Sequence, residues 1–172
     1  MRRTCLLLIA FLALPASAGS GVSGHPPTRS LDDMFAGLHS AKDDTVARGL
    51  EREILTRFRH SGSSSADLLF IRATMADSTG DHVTALKLAR ALTALVPGFA
   101  EGWRLQGVVL RELGDTDGAI AALRQAVARN PRHFAAYAEL SELQKAKGDN
   151  AGASASAQQA LALDPRIPGL KH

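Results

Sequence analysis

The chain has 172 residues, 45% of them hydrophobic and 22% charged, with a formal net charge of +3. That balance excludes collagen-like, wholly disordered and multi-span membrane proteins, and the length suits one modest domain or a short array of repeated units. Aromatic residues make up only 5%, so a core of alanine packed against leucine is expected rather than one built on large rings.

Met1-Arg2-Arg3 is a short basic start, Leu6–Leu14 is an uninterrupted apolar run, and Pro15 and Ala16-Ser17-Ala18 follow. This is the order of a secretory signal, with cleavage expected after Ala18 and export of the remainder, to the periplasm of a bacterium. The apolar run is too short to span a bilayer, which takes ~20 residues, so no stable membrane insertion is expected after cleavage. Arg2-Arg3 lacks the rest of a twin-arginine motif, which favours the general export route. Cleavage removes two of the 20 basic residues and none of the 17 acidic ones, so the net charge falls to +1. Overall basicity is then no argument for a nucleic-acid partner. The single cysteine, Cys5, leaves with the signal, which excludes disulfides, thiolate catalysis and cysteine-held metals. Cys5 also precedes the apolar run, the wrong order for a lipoprotein signal. Residues 19–29 are rich in Gly, Ser and Pro and read as a flexible linker.

A helical hairpin is expected over residues 30–62. Ser30 with Asp33 marks an N-terminal cap before a helix over Leu31–Lys42. Asp43 or Asp44 caps a second helix, in which Val46, Leu50, Ile54 and Phe58 recur every four residues as one apolar stripe. Ser61-Gly62-Ser63-Ser64-Ser65 then breaks the chain.

Beyond it, five columns repeat every 34 residues. They are Gly80-Asp81, Gly114-Asp115 and Gly148-Asp149; Pro97, Pro131 and Pro165; Ala85, Ala119 and Ala153; Leu69, Trp103 and Tyr137; and Ala73, Gly107 and Ser141. Each period holds two helical stretches, roughly Ala66–Asp77 and His82–Ala94 in the first. Glycine takes the left-handed conformation that ends one helix, aspartate caps the next, and proline stops the second. The small column lets the two antiparallel helices approach closely.

The period and these residues resemble the tetratricopeptide repeat. The resemblance covers three units, 66–99, 100–133 and 134–167, and implies an all-α solenoid of antiparallel helix pairs. The middle unit matches best, at Trp103, Gly107, Gly114, Ala119, Leu123, Ala126 and Pro131. The first departs at Ala76, Ala89 and Leu92, and the last at Gln144 and Ala157. Residues 30–62 are then a divergent N-terminal cap, because end units of a solenoid must turn a more polar face to water. At the other end, Ala153–Gln159 is so rich in alanine, serine and glutamine that a self-capping end is expected, with a self-association surface as the competing reading. The whole stretch also resembles exported bacterial tetratricopeptide proteins that pair such a hairpin with three repeats.

The resemblance further implies that the first helix of each unit lines a concave groove for a peptide. Carried onto this sequence, the groove slots are Asp67, Phe70, Thr74 and Asp77; then Glu101, Arg104, Val108 and Arg111; then Ala135, Ala138, Glu142 and Lys145. No asparagine is among them, so the asparagine-lysine clamp that chaperone-binding members use for a terminal carboxylate is missing. Arg104, Arg111 and Lys145 form a basic run beside Phe70 and Val108, with merely solvated helix positions as the alternative.

Other chemistry finds little support. Asp115-Thr116-Asp117-Gly118 coincides with an inter-helix turn and lacks the ligand frame of a calcium loop. The histidines at 25, 39, 60, 82, 133 and 172 form no close pair on one helix face and no HExxH pattern. His82 and His133 are expected as solvated turn residues. The serine run lacks a base and an oxyanion site, and no phosphate loop is present. Arg48, Arg52, Arg57 and Arg59 are interrupted by Glu51 and Glu53, as on a solvated face. No metal, cofactor or catalytic residue is therefore assigned. The expected function is a non-catalytic protein- or peptide-binding scaffold in the bacterial cell envelope; the alternatives are a self-associating structural spacer or a small enzyme subunit.

Overall fold

A computed structural model describes residues 29–167 and 169–170. The expected signal at 1–18, and the linker 19–29 apart from Arg29, lie outside the described residues. Regular structure among the described residues consists of eight helices: α1 Leu31–His39, α2 Asp44–Phe58, α3 Ser64–Ser78, α4 His82–Leu95, α5 Ala100–Glu112, α6 Thr116–Arg129, α7 Phe134–Ala146 and α8 Asn150–Leu163. None of them is long and apolar enough to cross a membrane.

The boundaries follow from capping chemistry. Ser30 and Asp33 form a reciprocal capping box, and Asp43 accepts from the amides of Thr45 and Val46. Asp81, Asp115 and Asp149 each accept from the third residue of the following helix. Gly80, Gly114 and Gly148 sit at φ +81°, +81° and +80°, a region that glycine enters without strain. There they let the next amide reach back to Ala76, Leu110 and Gln144, all at 2.9 Å, closing the preceding helix. α1 ends at His39, three residues short of its expected end, because Ser40 caps it and Asp43 starts α2.

α3–α4, α5–α6 and α7–α8 are the three repeat pairs, and the small-residue column forms their spine. A Cβ at Gly107 would lie 2.9 Å from Leu123 Cγ and 3.2 Å from the Ala119 carbonyl oxygen. Ala73 is fully buried in the equivalent place, and Ser141 Oγ donates to the Ala153 carbonyl at 2.8 Å. Gln144 stands where a large apolar residue is usual. It is buried but accepts from Ser156 at 2.6 Å and donates to Asp149 at 3.2 Å, so a polar bridge replaces apolar packing there.

The sequence places α1–α2 as a cap over the first unit; the structure corrects this. Met34, Phe35, Leu38, Ala47, Leu50 and Ile54 bury themselves against Phe134, Ala160, Leu161 and Ile167 of the last unit. The core of the first unit closes on α5 instead, through Phe70, Ala89, Leu92, Phe99 and Val109. Polar contacts fix the same placement: His39 Nε2 donates to the Ala162 carbonyl at 2.8 Å, and Arg166 reaches Asp44 at 2.7 Å and the Ala41 carbonyl at 2.8 Å. The amphipathic stripe is real, but the apolar area that receives it lies about a hundred residues away. Self-capping at the C-terminal end therefore applies to only part of α8: Ser154, Ala155, Gln158 and Gln159 are exposed, whereas Ala160 and Leu161 are covered by the hairpin.

Candidate partner-binding groove

The slots assigned from the repeat divide along the helix axes. In α3, Asp67 accepts from the Ser61 amide and hydroxyl at 2.8 and 2.6 Å, and Phe70 is buried edge-on against Phe99. In α5, Glu101 is 2% exposed and Arg104 is tied to it. In α7, Ala135 and Ala138 pack beneath α1–α2. The first two slots of every unit are thus built into the protein. The second two are not: Thr74 and Val108 are half-buried, and Arg111, Glu142 and Lys145 are exposed. Asp77 accepts from His82 Nδ1 at 2.9 Å, and Arg111 pairs with its neighbour Glu112 at 3.0 Å.

Arg104 is therefore not part of a solvated basic run. Its guanidinium lies between Glu101, at 2.9 Å, and Glu139, at 2.5 Å. His133 corrects the sequence reading too: it is wholly buried, donates from Nε2 to Glu101 at 2.7 Å, and accepts the Ala136 amide at Nδ1 to cap α7. The Phe58 ring of α2 covers it at 5.0 Å. A signal for this burial is present in the sequence, since His133 shares a 34-residue column with Phe99 and Ile167, both buried as well.

Charge in the cluster is set by burial and partners together. Burial pushes the Glu101 carboxyl up, but the His133 hydrogen bond and then the Arg104 charge outweigh it and bring it to about 2. Burial would lower Arg104, yet the carboxylates of Glu101 and Glu139 hold it above its ordinary value. Glu139 is raised, chiefly by burial, and its Oε2 has no hydrogen-bond partner. Removing the cation would leave two carboxylates in a site closed by Phe58, so this cluster is a structural keystone rather than a ligand site.

A second polar group pins the hairpin to the last unit. Asp164 is fully buried, accepts from the Arg166 amide at 3.0 Å, and lies against Glu51 of α2. Burial, foremost, raises both carboxyls. Between hairpin and array lies a cleft of about 340 Å³ lined by Leu31, Phe35, Phe58, Phe99, Arg129 and Arg132, among others. Its cations are already engaged: Arg129 stacks 4.7 Å over Trp103, and Arg132 lies 4.0 Å over Phe35 while paired with Asp32. Among the described residues, no three histidine, cysteine or carboxylate side chains converge to hold a metal ion.

The comparisons with known proteins agree with this architecture. Residues 104–167 match the tetratricopeptide repeat family model. A TPR repeat-containing protein of Rhizobium etli is 26% identical over 117 residues, covering 68% of this chain and 57% of that protein. The chain thus spans little more than half the length of that relative. The type III secretion translocator chaperone SycD of Yersinia enterocolitica matches with a TM-score of 0.58 and 21% identity, over 62% of this chain and 80% of its own. The TPR2B domain of yeast Sti1, solved with pHsp70, gives 0.58 and 22% over 61% and 84%. MamA gives 0.55 and 17% over 78% of each chain. At these identities the structural likeness speaks for the fold. Residues 104–167 thus match the tetratricopeptide repeat, and the 34-residue columns and paired helices carry the same pattern back to residue 66.

Proposed function

We propose that the protein is a non-catalytic scaffold that captures a protein or peptide in the bacterial cell envelope, using the open half of its groove. The observation that carries this reading is the division of the slots. Thr74, Asp77, Val108, Arg111, Glu142 and Lys145 follow one another in register across the three units, while the other half is closed by Phe58, Ala135 and Ala138. A surface holding one apolar residue between acids and bases suits an extended peptide of mixed charge. Two of the neighbours support the reading in kind: SycD has been solved with a peptide of the translocator YopD, and the Sti1 domain with pHsp70. The acid–histidine pair Glu101–His133 is sealed from solvent, which favours a structural role over catalysis. The signal-like Met1–Ala18 segment supports export.

A photo-crosslinking residue placed at Val108 should capture a partner in living cells, and one placed at exposed Lys87 should not. Arg111→Glu with Lys145→Glu should abolish that capture, while Arg90→Glu with Arg124→Glu leaves it intact. Capture from Lys87 alone would place binding on the outer helices and overturn the groove reading. Export is tested separately by N-terminal sequencing of envelope material, which should begin at Gly19.

A further inference from the structure

The 34-residue register identifies an interface on α3 that the chain leaves open. In α5, Gly102, Leu105 and Val109 are buried against α4 of the preceding unit. In α7, Ala136 and Leu143 are buried against α6. The same slots in α3 hold Leu68, Ile71 and Met75, which are 57%, 52% and 63% exposed. Leu68 and Met75 are larger than the residues most tightly held in their columns, Ile71 matches Leu105 in size, and Val83 on α4 extends the patch at 72% exposed. Scattered exposed aliphatics are ordinary, but a contiguous apolar face marks an interaction site.

Three observations select the occupant. The hairpin, which would cap this face if it stacked in chain order, is bound to the far end of the array. With the signal removed after Ala18, as proposed above, residues 19–28 hold one branched aliphatic, Val22, too little to cover the patch. The α8 slots that would receive α3 of a following copy, Ala160 and Leu161, are 0% and 6% exposed beneath the hairpin, so head-to-tail stacking is blocked. The occupant these observations favour is the same face on another copy, a self-complementary contact that closes on itself.

We propose that α3 pairs in parallel with α3 of a second copy, forming a two-fold dimer. Ser64, Leu68, Ile71, Met75 and Ser78 recur at spacings of four and three, the seam of a short coiled coil. Asp67 and Arg72 flank the seam on opposite sides, at the positions where parallel helices exchange ion pairs. Arg72 is exposed; Asp67 is held through Oδ1 by Ser61 but keeps Oδ2 for a partner, with His60 at 3.8 Å. Each copy thus offers an acid where the other offers a base, which selects a second copy in parallel over an arbitrary apolar partner.

Analytical ultracentrifugation of the protein purified from expressing cells tests this directly. It should sediment as a dimer at micromolar concentration, and Ile71→Glu with Met75→Glu should halve the mass without changing the helical spectrum. Ile71→Cys in a Cys5→Ser background should oxidise to a covalent dimer, because a parallel seam sets Ile71 against itself within disulfide reach. Asp67→Arg and Arg72→Asp should each weaken the dimer, and the two together should restore it. The groove variant Arg111→Glu with Lys145→Glu should remain dimeric, which separates this face from the groove. A monomer at every concentration, a dimer that survives Ile71→Glu with Met75→Glu, or cross-linking of Ile71→Cys to a different protein would each overturn the proposal.

Discussion

At the C-terminal end of the array, Ala160, Leu161 and Ile167 lie beneath the helices that begin the chain, whereas at the N-terminal end Leu68, Ile71 and Met75 face solvent. Both ends derive from the same repeat, and among the described residues neither is covered by a further repeat unit. Chain order would have sent α1–α2 to the nearer end. The hairpin goes to the farther one because two kinds of partner meet it there: an apolar shelf for Phe35, Leu50 and Ile54, and polar anchors at Asp164, Arg166 and the Ala162 carbonyl. Among the described residues, polar contact with the first unit is confined to the end of the hairpin, where Ser61 and His60 meet Asp67 of α3. In a solenoid, the end that is closed need not be the end at which the closing segment is attached.

Variants that loosen the joint between hairpin and array should have the largest effects. Arg104→Met strands Glu101 and Glu139 beneath Phe58 and should cost about 3–5 kcal/mol, the usual penalty for breaking a buried ion pair, read from thermal unfolding. Adding Glu101→Gln and Glu139→Gln should recover much of it. Next comes Ile54→Ala, which opens a cavity under a fully buried side chain and should cost about 2–5 kcal/mol. Hydrogen exchange would locate the damage: α8 near Ala160 should lose protection while α3 and α4 keep theirs. Equal loss at both ends would mean that the array is one cooperative unit and that the contrast between its ends has no dynamic meaning. Gly107→Leu, which forces a side chain onto Leu123 in the unit joining the two ends, should cost about 1–3 kcal/mol.

Acidification separates the two polar groups by sign. Glu101 is held at about 2, below the ordinary carboxylate range, so its contribution is present above that range and is lost as pH falls toward 2. Glu51 and Asp164 are raised, chiefly by burial, so their contribution is present at low pH and is lost as pH rises through the ordinary range toward their raised values. After correction for intrinsic exchange, α2 amides should therefore be better protected at about pH 5 than at about pH 7, and Glu51→Gln should reduce the difference, leaving the part due to Asp164. The smallest effect belongs to the open end. At concentrations too low for the dimer, Ile71→Ala should shift stability by no more than about 0.5 kcal/mol, since the side chain is half exposed in one copy. A much larger loss, dependent on protein concentration, would report the dimer directly.

Within each unit, sequence alone determined nearly everything. Gly80, Gly114 and Gly148 end their helices, Asp81, Asp115 and Asp149 start the next ones, and Ala73, Gly107 and Ser141 set the close approach of each pair. Those features were legible because each depends on residues a few positions apart or one period apart, and a period repeats its own evidence. Even the burial of His133 was written in its column with Phe99 and Ile167, although the turn position suggested solvent. Tertiary structure alone decided where α1–α2 docks, that Arg104 is enclosed rather than offered to a partner, and that half of the groove is filled. These outcomes rest on single pairings such as Phe58 with His133 and Arg166 with Asp44, which recur nowhere else among the described residues. An amphipathic stripe states that a helix must bury one face; which distant surface receives it depends on shape and charge that exist only once the array has folded.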